Sequence, residues 1–232
     1  MQLPVHREGL PIIAGFLLGT ALLWFFWAPL GLLGGVLSAW CTWFFRDPDR
    51  APPDTSGVII SPADGRLLPI VEAPPPAELA MGSAPRVRIS IFMNIFDVHV
   101  NRIPADGIII DTHYRPGRFF NASFDKASEH NERFSARMRL DTGEGLAFVQ
   151  IAGLLARRIR STLRPGEAVH RGARFGLIRF GSRVDVYLPP DAEVCVSVGQ
   201  HMTAGETVIA RLGSRNAPVE PDSSDGDGGS VR

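Results

Sequence analysis

Between Glu8 and Arg46 the chain carries no charged side chain: residues 9–45 read GLPIIAGFLLGTALLWFFWAPLGLLGGVLSAWCTWFF. Such a run cannot lie on the surface of a domain in water, so it divides the chain before any other pattern does. One helix needs about 20 apolar residues to cross a bilayer, and this run is nearly twice that. Ala28-Pro29 falls near its middle, where proline disfavours a continuous helix. The pattern predicts two short helices joined by a turn, each about 16–18 residues and marginal for a full crossing. A hairpin dipping into one leaflet and two tilted spans both stay open. Trp24, Trp27, Trp40 and Trp43 suit interfacial depths. A cleaved signal peptide fits poorly, because the run exceeds a signal core and lacks a small-x-small cleavage site. Arg7 precedes the run and Arg46 and Arg50 follow it, which places the soluble part at the cytoplasmic face of the cell membrane.

The sequence then divides into a membrane-associated hairpin (1–45), a folded domain (46–215) and a tail (216–232) low in apolar residues and expected to be disordered. The folded part is long enough for a real core. Lys and Arg number 24 and so do Asp and Glu, so no global field draws in nucleic acid. Cys41 lies in the apolar run and Cys195 in an expected strand, a pair that suggests neither a disulfide nor a metal site.

Short strands dominate 57–212. The segment 86–92 alternates Val87, Ile89 and Ile91 against Arg86, Arg88 and Ser90, the period of a half-buried strand. Further strands are expected at 107–114, 134–140, 145–152, 174–180, 183–188, 192–198 and 207–212. Gly181-Ser182 reads as a hairpin turn between two of them. The best soluble helix candidate is 121–133. The fold class expected is mainly β (α+β), a barrel-like domain preceded by the helical hairpin.

Four segments carry chemical interest. Phe45-Arg46-Asp47-Pro48-Asp49-Arg50 leaves the apolar run, and Ser61-Pro62-Ala63-Asp64-Gly65 follows an apolar strand. Asp97-Val98-His99-Val100-Asn101-Arg102-Ile103-Pro104 follows IFMNIF, and Leu212-Gly213-Ser214 ends the last strand. In this order, behind a membrane hairpin, they resemble the phosphatidylserine decarboxylases, most closely the branch with a short soluble domain. The likeness extends from Trp43 to Ser214 and includes GRFFNASFDKASEHNER (117–133) and VQIAGLLARRI (149–159).

The resemblance implies a pyruvoyl enzyme made by self-cleavage. The reading places the cut between Gly213 and Ser214, leaving a large subunit 1–213 and a small subunit 214–232 as a heterodimer. Ser214 would attack the Gly213 carbonyl, and elimination and hydrolysis would leave a pyruvoyl group in its place. Phosphatidylserine would form a Schiff base with that ketone, which accepts the electrons released with CO2, and phosphatidylethanolamine would follow. The ketone takes the role that pyridoxal phosphate plays elsewhere. Pyridoxal enzymes need an active-site lysine, and Lys126, the only lysine, lies in no such context. No metal is expected, since His6, His113, His170 and His201 show no ligand spacing.

His99 is the expected acid/base, its imidazole able to exchange a proton near neutrality. Asp64 is the expected orienter or proton acceptor in self-cleavage. Many relatives carry a second histidine three residues after the first, and here that position is Arg102, which cannot act as an ordinary base. Either His99 takes both roles, or His130 or Asp64 activates the serine. Arg102, Arg157 and Arg158 are possible contacts for a carboxylate or phosphate, the last two in a basic stretch with Arg160 and Arg164. The rival reading is a membrane-anchored carrier, because 172–212 resembles a lipoyl- or biotinyl-type hairpin barrel. A carrier needs a lysine at a hairpin tip, and Lys126 lies elsewhere.

Overall fold

The computed structural model of the chain describes residues 5–117, 131–153, 158–179 and 181–213. Two helices of 17 residues each, α1 (Leu10–Phe26) and α2 (Ala28–Phe44), form the expected hairpin. Only Trp27 separates them, and its extended backbone (φ −163°) reverses the chain. Pro11 and Pro29 sit in the first turns, where a missing N–H is harmless. Glycines let the helices approach closely: a Cβ on Gly31 would meet Trp24, and one on Gly34 would meet Thr20. Thr20 and Ser38 hydrogen-bond across the interface at 2.9 Å. Apolar side chains including Leu18, Leu22, Trp24, Phe25 and Phe26 point outward, uncovered by the protein. With the turn before it, the first helix spans Arg7–Phe26 at mean hydropathy 2.0, long and apolar enough to cross a membrane.

The rest is mostly β, curled into a half-barrel. In chain order the strands are β1 (Val58–Ile60), β2 (Gly65–Leu67), β3 (Val71–Ala73), β4 (Arg86–Met93), β5 (Val100–Arg102), β6 (Gly107–Arg115), β7 (Arg133–Leu140) and β8 (Gly145–Ala152). Then come β9 (Ile159–Ser161), β10 (Ala168–Val169), β11 (Arg174–Ile178), β12 (Ser182–Tyr187), β13 (Glu193–Val194), β14 (His201–Met202) and β15 (Val208–Arg211). The main sheet runs β10-β6-β7-β8-β12-β4-β2-β14, with β3 also on β4. Two three-stranded sheets, β1-β15-β13 and β5-β11-β9, complete the described fold.

Alternation sets the two faces of the main sheet. Ile89, Ile91 and Met93 of β4, Leu146 and Phe148 of β8, and Val184 and Val186 of β12 share the principal core. The opposite faces of β8 and β12 supply Ala147, Val149, Ile151 and Tyr187 to a smaller cluster closed by Leu79. A third cluster joins the domain to the hairpin: Ile13, Cys41, Phe44 and Phe45 pack on Val98, Val100 and Leu177.

Three expectations change. Gly181-Ser182 is not a hairpin turn, because β11 pairs with β5 and β9 while β12 pairs with β4 and β8. The chain passes there from one sheet to another. The segment 172–212 is not a self-contained carrier barrel either, since its strands are distributed over all three sheets. Of 192–198 only Glu193–Val194 is strand. The helix expected at 121–133 falls mostly outside the described residues, and its last residue, Arg133, opens β7. The tail also lies outside them.

Candidate active site

His99 enters β5 from the turn after β4 and is completely buried. The Gly181 N–H donates to its Nε2 at 3.2 Å, so that nitrogen is unprotonated. The proton therefore sits on Nδ1, 3.0 Å from the Asp97 carbonyl oxygen that accepts it. The Phe44 ring covers the imidazole at a centroid distance of 4.4 Å. Burial lowers the His99 pKa to about 4, against smaller upward pulls from its bond to Asp97 and the Asp97 charge. The ring is neutral near pH 7, with its basic lone pair directed at the backbone of Gly181.

Gly181 has φ +65°, a left-handed conformation that glycine adopts without strain, and a Cβ there would meet nothing within 4 Å. Ser182, next in the chain, is fully buried. It begins β12 on the same face as Val184 and Val186, and its Oγ lies 3.8 Å from Met93 Sδ. Behind it the buried Asn101 amide donates to the same sulfur at 3.6 Å, and Gln150 Nε2 donates to Asn101 Oδ1 at 2.7 Å. A Gly-Ser peptide thus sits beside a neutral histidine, its serine buried near the Asn101 and Gln150 amides.

Asp64 lies in the turn between β1 and β2. It accepts from the Ala204 N–H at 2.7 Å and from Arg50 at 3.0 Å. Burial raises its pKa, and the Ala204 bond and Arg50 oppose the rise. Asp97 and His201 also act on Asp64 electrostatically, and those two meet at 3.2 Å, His201 Nε2 to Asp97 Oδ1. Asp64, Asp97 and His201 therefore form one polar cluster next to the His99 turn.

Arg102 does not reach this cluster with a free hand. Its guanidinium donates to the carbonyls of Gly172 (2.9 Å) and Pro48 (2.7 Å) and lies 3.6 Å from the Asp47 carboxylate. That geometry is a clamp between the segment after α2 and the strands. Arg158 is exposed, and Arg157 lies outside the described residues. Arg160 pairs with Glu8 at 3.4 Å, which brings the basic stretch to the foot of α1.

Ser214 and His130 also lie outside the described residues. Gly213 follows β15, whose antiparallel register sets Arg211 against Val58 and Val208 against Ile60. Leu212 bonds back to Gly57, so Gly213 lies at the start of β1 while Asp64 follows its end. The strand pair separates them. Sequence reasoning passed over Gly181-Ser182, Asp97, Asn101, Gln150 and His201. The available signal was a Gly-Ser pair that opens an expected strand with Val184 and Val186 on one face.

Residues 37–210 match the family model described as Phosphatidylserine decarboxylase. The matched span contains Asp64, His99, Gly181 and Ser182 and stops short of Gly213. The chain is 56% identical over 211 residues to the phosphatidylserine decarboxylase proenzyme of Paramagnetospirillum magneticum, covering 91% of this chain and 88% of that one. It is 53% identical to the protein of the same name from Cereibacter sphaeroides, with 92% of each covered. Against that of Rickettsia akari the identity is 54%, with 91% of each covered. On the strength of this match over most of its length, the chain belongs to the phosphatidylserine decarboxylase family.

Proposed function

We propose that the protein decarboxylates phosphatidylserine to phosphatidylethanolamine at a pyruvoyl group made by self-cleavage between Gly181 and Ser182. The observation that carries this reading is the 3.2 Å bond from the Gly181 N–H to His99 Nε2, beside a fully buried serine. The Gly213-Ser214 pair lies past the matched span and beyond the far end of β15 from Asp64. The word proenzyme in the relatives' names supports processing of this chain too.

Self-cleavage asks three things of the chain. A base must take the Ser182 hydroxyl proton, and neutral His99, bonded to the N–H of the preceding Gly181, is the first candidate. Asp64 is the second, in keeping with its raised proton affinity. The Gly181 carbonyl must be open to attack, and the left-handed glycine leaves its flank clear. Water must be kept away until the ester forms, which burial of Ser182 favours. The resulting ketone supplies the electron sink that loss of an α-carboxylate requires. His99 then remains beside it to hold or deliver a proton, and the Asp97–His201 pair connects that region to solvent.

The outward apolar face of the hairpin supports attachment to a membrane. Arg158, Arg160 and Arg7 at its foot are suited to anionic headgroups. Attachment there would hold the site at the headgroup plane, and the flanking arginines favour the cytoplasmic face. Arg102 is left with a structural role.

Intact mass of the purified protein tests the reading. The expected pieces are residues 1–181 and a blocked fragment 182–232. Ser182→Ala is expected to leave the chain whole and without turnover, and Ser214→Ala to be cut and active. A break before residue 214, or an active uncut chain, rejects the assignment.

A further inference from the structure

Besides Leu177 and the Glu8–Arg160 pair, the hairpin is joined to the catalytic domain by contacts on the two segments that form the site. Phe44, the last residue of α2, is fully buried with its ring on His99. Phe45 packs edge-on against Phe44 at 5.0 Å, and Trp40 lies 5.8 Å from it. Arg46, next in the chain, donates at 2.7 Å to the Phe96 carbonyl in the turn that leads to His99. At the other end of the hairpin Glu8, just before α1, accepts from Arg179 at 2.9 Å, two residues ahead of Gly181. The membrane element therefore grips both the histidine segment and the Gly-Ser segment.

Resting on the assignment of His99 to the site, we propose that Phe44 is a positioning residue for it. The end of α2 is the wall that keeps water from the imidazole and holds Nε2 toward Gly181. No charge from α2 faces the ring. The charged groups acting on it are Asp97 in its own turn, which favours the proton, and Arg46 after α2, which disfavours it. His201 on β14 is engaged by Asp97, and Arg179, on the approach to β12, is engaged by Glu8. With these charges in place, loss of the Phe44 ring changes chiefly the hydration of His99. Hydration favours the imidazolium, so the His99 pKa rises.

The test is the titration of His99 in the full-length protein in detergent, followed by NMR of labelled histidine and assigned by the signal missing from His99→Gln. In the unsubstituted protein the imidazole is expected to stay neutral down to about pH 5, well below the usual 6.5. Phe44→Ala is expected to raise the midpoint by at least about one pH unit. Phe44→Leu, which keeps an apolar wall, is expected to hold it within about half a unit. The acid limb of decarboxylation, measured on monomeric short-chain phosphatidylserine so that vesicle binding plays no part, is expected to move with the midpoint. Should the alanine protein not fold, Phe44→Val takes its place, with a midpoint expected between parent and free imidazole. A parent protein titrating near 6.5, or Phe44→Ala (or its Phe44→Val substitute) titrating like the parent, overturns the proposal. Failure of the functional reading appears separately, as His99→Gln with undiminished turnover.

Discussion

A single residue, Arg102, shows how far a side chain's type can mislead about its use. An arginine three positions after a candidate catalytic histidine looks like a ligand for an anionic substrate. In the fold its side chain is 6% exposed, and its guanidinium faces Asp47 and donates to the carbonyls of Gly172 and Pro48. A charged donor to a buried carbonyl contributes about 1.5–3 kcal/mol, and removal also strands the carbonyls. Arg102→Ala is therefore expected to cost about 2–4 kcal/mol and to lower the melting temperature, with KM little changed in the protein that remains folded. A raised KM at unchanged melting temperature would restore the substrate-contact reading. His99 was singled out through the family resemblance, because a histidine at a strand entry suits a structural hydrogen bond just as well. Its surroundings were not legible: the ring's partners are Phe44, Asp97 and Gly181, and two of these three lie far away in sequence.

At the scale of elements, the sequence predicted its strands well wherever apolar and polar residues alternate. The segment 134–140 is the strand Arg133–Leu140 and 86–92 is Arg86–Met93, each one residue longer than expected. It failed where two strands are adjacent in sequence but not in space. Gly181-Ser182 has the composition of a hairpin turn, and only pairing partners distant in sequence reveal that β11 and β12 belong to different sheets. The hairpin succeeded because a proline at the middle of an uncharged run, Pro29, leaves few alternatives. Its glycines make a further prediction. A Cβ on Gly34 would come within 2.8 Å of Thr20 Oγ1 and 3.2 Å of the Thr20 backbone, whereas one on Gly35 would meet nothing within 4 Å. Gly34→Val is expected to force α1 and α2 apart at a cost of about 1–3 kcal/mol, and Gly35→Val to be near neutral. Thermal melting of the two proteins in detergent compares them directly. Equal melting temperatures would mean that the helices are not held at this spacing.

At the scale of the molecule, the two possible cuts produce fragments with opposite fates. A fragment 182–232 begins with β12, which is hydrogen-bonded along its length to β4 on one side and β8 on the other. Its later strands are equally committed, β14 to β2 and β15 to β1. Arg183 and Asp185, both buried, pair on the outer face of β12 with Arg88 of β4 at 4.0 Å from Asp185. Such a fragment contributes Val184, Val186, Leu188, Met202 and Ile209 to the principal core. Breaking one peptide bond at its start leaves all of this in place, so the pieces are expected to stay together through purification and to part only on denaturation. Asp185→Asn, which leaves two buried guanidinium groups short of their carboxylate, is expected to lower that resistance by about 3–5 kcal/mol. A fragment 214–232 would instead carry none of the described strands and little apolar surface to hold it. Native mass spectrometry in detergent separates the cases. A stable complex of two chains that splits only in denaturant is the expected result, and a large chain that has lost its partner under native conditions would count against the cut at Ser182.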